Sequence, residues 1–133
     1  MEAQNYNVEF DEFCERHYIK SFAKKYKSAW DGTQSAIEEV CKRIDAVLEY
    51  SRADLIATNG TFKLVKLDFA IEGTRISPKA AGNRCILLVD EDIRSVRVLL
   101  IYSKNDISTP NETAKWKTVI KEQYGDVQEI FGL

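Results

Sequence analysis

The pattern of apolar residues predicts an α+β fold, with N-terminal helices packed on a small, mainly antiparallel sheet and a C-terminal helix after it. Three observations carry this expectation. From about residue 12 to residue 48 the apolar residues fall at helical spacing, and between residues 62 and 103 they alternate as in strands. A helix-start signal, Thr109-Pro110-Asn111-Glu112, then follows. At 133 residues the chain is expected to form one domain, 1–133, with length enough for a real core.

Residues 1–11 lack a clear period and read as a tail or a short strand, with a strand near Phe10–Arg16 as the other option. From about Glu12 to Lys27, Tyr18, Phe22 and Tyr26 recur at every fourth position with Ile19 and Ala23 beside them. That spacing makes one aromatic stripe on a helix, read as core packing, with Lys20, Lys24 and Lys25 lying off it. The helix is expected to stop near Trp30-Asp31-Gly32. Ser35 and Glu38 have the form of a capping box, and Ile37, Val40, Cys41, Ile44, Val47 and Leu48 then share one face of a second helix.

After a polar break at Ala57-Thr58-Asn59-Gly60-Thr61 the strand period begins. Phe62–Phe69, Asn83–Val89 and Arg94–Ser103 read as strands, the last two joined by a tight turn at Asp90-Glu91-Asp92. In the third, Val96, Val98, Leu100 and Tyr102 alternate with Arg97, Leu99 and Ile101. Because both sets are largely apolar, this strand is expected to be central and covered on both sides. Helices are expected on one face of the sheet, with the other partly open to a ligand. A last helix from Pro110 to about Tyr124 turns Trp116, Val119, Ile120 and Tyr124 inward; Gly125 ends it and residues 126–133 read as a tail.

Hydrophobic content of 44% with 30% charged residues is ordinary for a water-soluble globular chain. No apolar run approaches a membrane span, and the acidic start MEAQNYNVEFDEF lacks the basic and apolar regions of a signal peptide, so a cytoplasmic location is expected. Cys14, Cys41 and Cys85 are odd in number and lack CxxC spacing, which suggests buried free thiols rather than disulfides or a zinc site. His17 is the sole histidine and reads as a surface residue, so nothing points to a Ser-His-Asp or Cys-His device. Phosphate-cradling motifs of the GxGxxG or GxxxxGK[ST] type are absent, as are metal-ligand clusters. No cofactor is expected.

The net charge of −2 gives the chain no overall basic footprint. Between Gly60 and Lys104, however, eight cations (Lys63, Lys66, Arg75, Lys79, Arg84, Arg94, Arg97, Lys104) face five acids, three of which sit together at Asp90-Glu91-Asp92. Lys66 lies within the first of the three strands, Arg75 and Lys79 in the loop after it, Arg84 at the start of the second, and Lys104 at the end of the third. Two readings stay open at this point. The cations solvate an open sheet face, or they bind phosphate, holding a phosphodiester and stabilising a pentacoordinate transition state without metal. Tyr102 is open between stacking on a base, moving a proton and packing in the core.

The span LVKLDFAIEGTRISPKAAGNRCILLVDEDIRSVRVLLIYSKNDI resembles the strand region of RelE/ParE-superfamily toxins, in particular the HigB-like and phage-derived branch. There a strand bearing lysine and arginine leads to a loop of GKSGGYR type, a hairpin, and a strand ending in a YAKN- or YSKN-like motif. HYIKSFAKKY resembles the first helix of that family, and the resemblance covers roughly residues 12–122. It implies a RelE-like fold and a toxin of a type II toxin–antitoxin system that cleaves mRNA, usually at the ribosome, with an antitoxin protein as partner. A homodimer and a toxin–antitoxin hetero-oligomer are both compatible with it.

Carried over position by position, Lys79 and Arg84 match the loop lysine and strand-start arginine, Lys66 the first-strand lysine, and Lys104 with Asn105 the YSKN end. The resemblance makes Lys66, Lys79, Arg84 and Lys104 the candidate catalytic residues and Asn105 a candidate RNA contact, with the RNA's own 2′-hydroxyl as the attacking group; Lys63, Arg75 and Tyr102 are further candidate RNA contacts from their place among the cations. Three departures stand out: Asp68 occupies a usual arginine position, Ala80-Ala81 replaces Ser-Gly, and Asn83 replaces an aromatic. Two alternatives therefore stay open, a catalytically silent binding or regulatory protein of the same fold and a ParE-like inhibitor of DNA gyrase.

Overall fold

The computed structural model describes residues 5–49, 52–104 and 111–133. Five strands make one mixed sheet in the order β1-β5-β4-β3-β2. They are β1 (Asn7–Phe10), β2 (Ala53–Asn59), β3 (Phe62–Phe69), β4 (Asn83–Asp90) and β5 (Ser95–Ser103). Strand β1 runs parallel to β5, and every other pairing is antiparallel. The expected α+β class is met, with β3, β4 and β5 close to their expected bounds.

The first core lies between the sheet and the N-terminal helices. Helix α1 (residues 12–26) begins with an α-helical turn at Glu12–Cys14, passes through a π-helical turn at Glu15–Ile19 and continues as α-helix at Lys20–Tyr26. The Asp11 carboxylate caps it by accepting the Phe13 N–H at 3.0 Å. Helix α2 (Ser28–Lys42) and the short α3 (Ile44–Val47) follow. Ile37, Val40, Cys41 and Ile44 are buried, as their spacing requires, against Val65, Leu67, Leu87, Val96 and Val98 of the sheet.

The break between the first two helices is not at Trp30-Asp31-Gly32 but at Lys27, which takes φ 54°. Trp30 is 1% exposed and packs against Phe22 and Phe69, with ring centroids 5.0 and 6.2 Å away. Burial of that indole carries α2 through the apparent stop. Gly32 serves another purpose, because a Cβ there would overlap the Glu72 carboxylate. One residue on, the Thr33 hydroxyl accepts the Glu72 N–H at 2.8 Å, so the loop after β3 docks on this turn of α2. Ser35 and Glu38 accordingly lie inside α2 instead of opening a helix.

Periodicity does not reveal two of the strands. Strand β1 ends at Phe10, and residues 12–16 are helical rather than extended. Strand β2 takes in Ala57-Thr58-Asn59 of the expected polar break, and Gly60 (φ 61°) turns the chain into β3. At the C-terminus, α5 (Glu112–Gln123) is followed not by a tail but by α6 (Gly125–Phe131). Tyr124 leaves helical geometry (φ −129°, ψ 68°) and Val127 is fully buried, so the chain bends and packs again. The expected start at Thr109-Pro110 lies outside the described residues.

Helices α5 and α6 cover the face that was expected to be partly open. Trp116, Ile120, Tyr124 and Val127 form a second core there with Leu64, Ile86, Leu88, Leu99, Leu100 and Tyr102. A β-bulge decides which residues of β5 reach it. Ile86 pairs with Leu100 but Leu87 with Val98, so Leu99 is an extra residue. Val96 and Val98 therefore face the first core, whereas Leu100 and Tyr102 face the second. The single alternation expected along this strand is broken in its middle.

All three cysteines are buried free thiols. Burial pushes Cys41 up to about 12 and raises Cys14 and Cys85 as well, which keeps them protonated and unreactive. Among the described residues no helix is long and apolar enough to cross a membrane.

Candidate functional site

The loop after β3 ends in a single helical turn, α4 (Pro78–Ala81), before β4 starts. The Ser77 hydroxyl caps that turn by accepting the Ala80 N–H at 3.3 Å, Pro78 stands at its first position, and Gly82 (φ 76°) ends it. Arg84 is the second residue of β4. Its strand register places Asp68 of β3 on one side and Tyr102 of β5 on the other. Directly paired residues in a sheet point to the same face, so the three side chains stand in a row beneath α5.

The first residue of α5, Glu112, meets that row. Arg84 Nη1 donates to Glu112 Oε1, and the Tyr102 hydroxyl donates to Glu112 Oε2 at 2.6 Å. From the opposite side, Arg84 Nε donates to Asp68 Oδ1 at 3.3 Å. The side chains of Arg84, Asp68 and Glu112 are 19%, 12% and 10% exposed, so these are largely desolvated contacts. One guanidinium is shared by two carboxylates.

The titration behaviour follows from this packing. Burial opposes the charge on Arg84, but Glu112 and Asp68 more than offset it and hold the guanidinium protonated. Burial raises the Asp68 carboxyl above its ordinary value, against the opposing pull of Arg84. Burial also raises the Tyr102 phenol, helped by the hydrogen bond to Glu112 and by its charge. Tyr102, at 2% exposure, is a core residue whose hydroxyl is spent on Glu112.

Lys104 joins this end of the sheet from β5. Its N–H donates to the Gly82 carbonyl at 2.8 Å, and its stem lies over Gly82 so closely that an added Cβ would come within 2.7 Å of Lys104 Cε. Glycine at 82 thus provides both the left-handed turn and the room for Lys104 beside the turn that bears Lys79. Lys79, Arg75 and Lys104 are exposed and make no ion pair among the described residues. The other expected residues are less favourably placed. Lys66 faces Asp54 at 4.0 Å, and Lys63 pairs with Glu91 at 3.3 Å near the far end of the sheet. Asn105 lies outside the described residues.

A cavity of about 420 Å³ adjoins Tyr102 and is lined by His17, Tyr18, Phe22, Lys115 and Val119 among others. Part of the aromatic stripe of α1 therefore borders open space. His17 itself is exposed, with its ring 4.4 Å from that of Phe13. Among the described residues no group of His, Cys, Asp and Glu is arranged to hold a metal ion.

Sequence reasoning marked Arg84, Lys79 and Lys104 but missed what holds Arg84. In the sequence Asp68 is only a departure from a usual arginine position, and the structure makes it a partner of Arg84. Glu112 reads in the sequence as part of a helix-start signal. Its distance along the chain from Arg84 leaves no local pattern that would join the two.

No protein-family model matches the sequence, and no curated protein matches it. Among solved structures the fold is similar to a chain of the archaeal RelE–RelB complex from Pyrococcus horikoshii OT3, with 12% identity and a TM-score of 0.45. The match covers 75% of this chain and 96% of that one. Similarity at this level assigns no residue role, so the site rests on the contacts described above.

Proposed function

We propose that this chain is the toxin component of a RelE/ParE-type toxin–antitoxin pair, a metal-independent endoribonuclease that acts on mRNA at the ribosome and is held by a cognate antitoxin. The observation that carries this reading is the row formed by Arg84 and Tyr102, in register on one face and holding the two oxygens of a single anion. Exposed Lys104 lies over Gly82 at the start of the strand that bears Arg84, and exposed Lys79 is on the turn that Gly82 ends. The resemblance of residues 12–122 to the superfamily supports the same reading.

In the reaction the RNA 2′-oxygen bonds to phosphorus as the bond to the 5′-oxygen breaks, leaving a cyclic phosphate. A base takes the 2′ proton and an acid supplies one to the leaving oxygen. The fork of Arg84 suits the two non-bridging oxygens of the scissile phosphate, with Lys66, Lys79 and Lys104 adding point charges as negative charge develops. Arg75 and Asn105 would position the strand, and the Tyr102 hydroxyl, once released from Glu112, would share the grip on the phosphate; Lys63, at the far end of the sheet, is too distant to take part.

A second reading, a protein of the same fold that works by binding alone, draws support from the two carboxylates already on Arg84. Inducible expression with mapping of mRNA ends separates the two. The cleavage reading expects growth arrest and new transcript ends, both lost in the Lys79→Ala/Arg84→Ala double variant. Arrest with intact transcripts favours the binding reading, and arrest with double-strand DNA breaks a gyrase target.

A further inference from the structure

We propose, resting on the RNA-directed reading above, that Glu112 is a built-in occupant of an anion site formed by Arg84 and Tyr102, so that the first turn of α5 holds that site closed against phosphate. The two oxygens of the carboxylate are gripped separately, one by a guanidinium and one by a phenol hydroxyl. This two-point clamp on a single anion is what the paired non-bridging oxygens of a phosphate group present to a protein.

The clamp and its occupant differ in how firmly they are held. Arg84 and Tyr102 are cross-strand neighbours on inner strands of the sheet, and Asp68 fixes the guanidinium from behind. Glu112 is the first residue of its helix, and Asn111 before it makes no side-chain capping bond. The N–H groups of a helix's first turn have no partners within the helix, and that turn is where a helix frays at the lowest cost. The anchors of α5, Trp116 and Ile120, lie one and two turns further on. Glu112 can therefore withdraw while α5 stays packed.

Charge permits a phosphodiester as the replacement, since it carries the same single negative charge as the carboxylate it displaces. With Glu112 in place, one guanidinium faces two carboxylates, and with Glu112 withdrawn Arg84 and Asp68 balance. The vacated clamp then offers the remaining guanidinium N–H donors and a free phenol O–H, with exposed Lys104 over Gly82, two residues before Arg84. Such a site takes an oxyanion that is small at its point of entry, either a phosphodiester of single-stranded RNA or free phosphate.

The test compares the full chain with its Glu112→Ala and Glu112→Asp variants, each first checked for folding by circular dichroism. A short fluorescent single-stranded RNA is titrated by anisotropy, and inorganic phosphate by the NMR shift of the Arg84 Nε–H. Glu112→Ala should bind RNA about tenfold more tightly or better, the scale of losing one charge-assisted competitor. The gain should vanish in Glu112→Ala/Arg84→Ala. Glu112→Asp, whose shorter side chain pulls the carboxylate from the clamp, should fall between and keeps the question open to measurement if the alanine variant fails to fold. A gain for phosphate alone supports the clamp and names the free ion as its ligand.

Unchanged affinity in a folded variant, or a gain that survives loss of Arg84, overturns the proposal. The two readings fail separately. Tighter binding without arrest or cleavage keeps the clamp and removes the toxin, whereas cleavage by the unaltered chain with no gain in Glu112→Ala does the reverse.

Discussion

The two faces of the sheet are built on different rules. Beneath α1 and α2 the buried groups are apolar almost throughout, and Phe22, Trp30 and Phe69 form one aromatic cluster. Beneath α5 and α6 the packing starts in the same way but ends in Arg84, Asp68, Glu112 and the Tyr102 hydroxyl. Apolar packing tolerates small errors of position because it has no directional partners, whereas each desolvated charge needs its own counterpart. The first face therefore supplies stability. The second gives up some of that security to keep a cation in a fixed place.

The largest expected effect breaks the first face. Trp30→Ala should destabilise the chain by about 3–5 kcal/mol, the range for an aromatic removed from a close-packed core, as measured by chemical denaturation. It should do so nearly equally across the neutral pH range, since the cluster it empties contains no titrating group.

Arg84→Ala should cost somewhat less, about 2–3 kcal/mol near neutral pH, because it strands two carboxylates that are not fully desolvated. Here the pH dependence tells the faces apart. The folded Asp68 carboxyl already lies above its ordinary 3.8, because burial outweighs the pull of Arg84. Such a group favours the folded state at low pH, and that contribution is lost as pH rises through its folded value. Removing Arg84 takes away the lowering influence and moves that value further up. The penalty of Arg84→Ala should therefore shrink as pH falls from neutral into the acid range, and a penalty that stays constant with pH would contradict the arrangement.

Tyr102→Phe is the mildest change. It keeps the ring in the second core and removes the hydrogen bond to Glu112, for an expected cost of about 1–2 kcal/mol. Equal costs for Tyr102→Phe in the presence and absence of Glu112 would mean that the two groups are not coupled.

Much of this fold is legible in the sequence, and the exceptions have physical causes. Strands β3, β4 and β5 are inner strands of the sheet, and their apolar residues announce them. Strand β2 is an edge strand with mostly exposed or half-exposed residues, and a bulge between Leu55 and Ala57 interrupts its period. The glycine at 32 looks like a helix stop, yet it makes room for Glu72 from a distant loop. The true break falls on Lys27, a residue type that carries no turn signal. In the site, Arg84 and Lys79 are visible as cations where a loop meets a strand, and the family resemblance is what gives them a role. The neutralising pair is not visible, since Asp68 reaches Arg84 through sheet register and Glu112 through helix docking. Likewise, no residue type at Leu99 foretells the bulge that sends Tyr102 to the side of Arg84.

The pairing of β1 with β5 carries a consequence for the order in which the molecule can be completed. Asn7–Phe10 precedes the other strands along the chain, but the edge it needs, Ser95–Val98, comes after β2, β3 and β4. Hairpin partners meet early because they are neighbours, whereas a contact spanning most of the chain must wait for its second half. During synthesis the earliest strand is thus the last to find its place, and the helices directly behind it cannot settle on a finished sheet until the fifth strand has emerged.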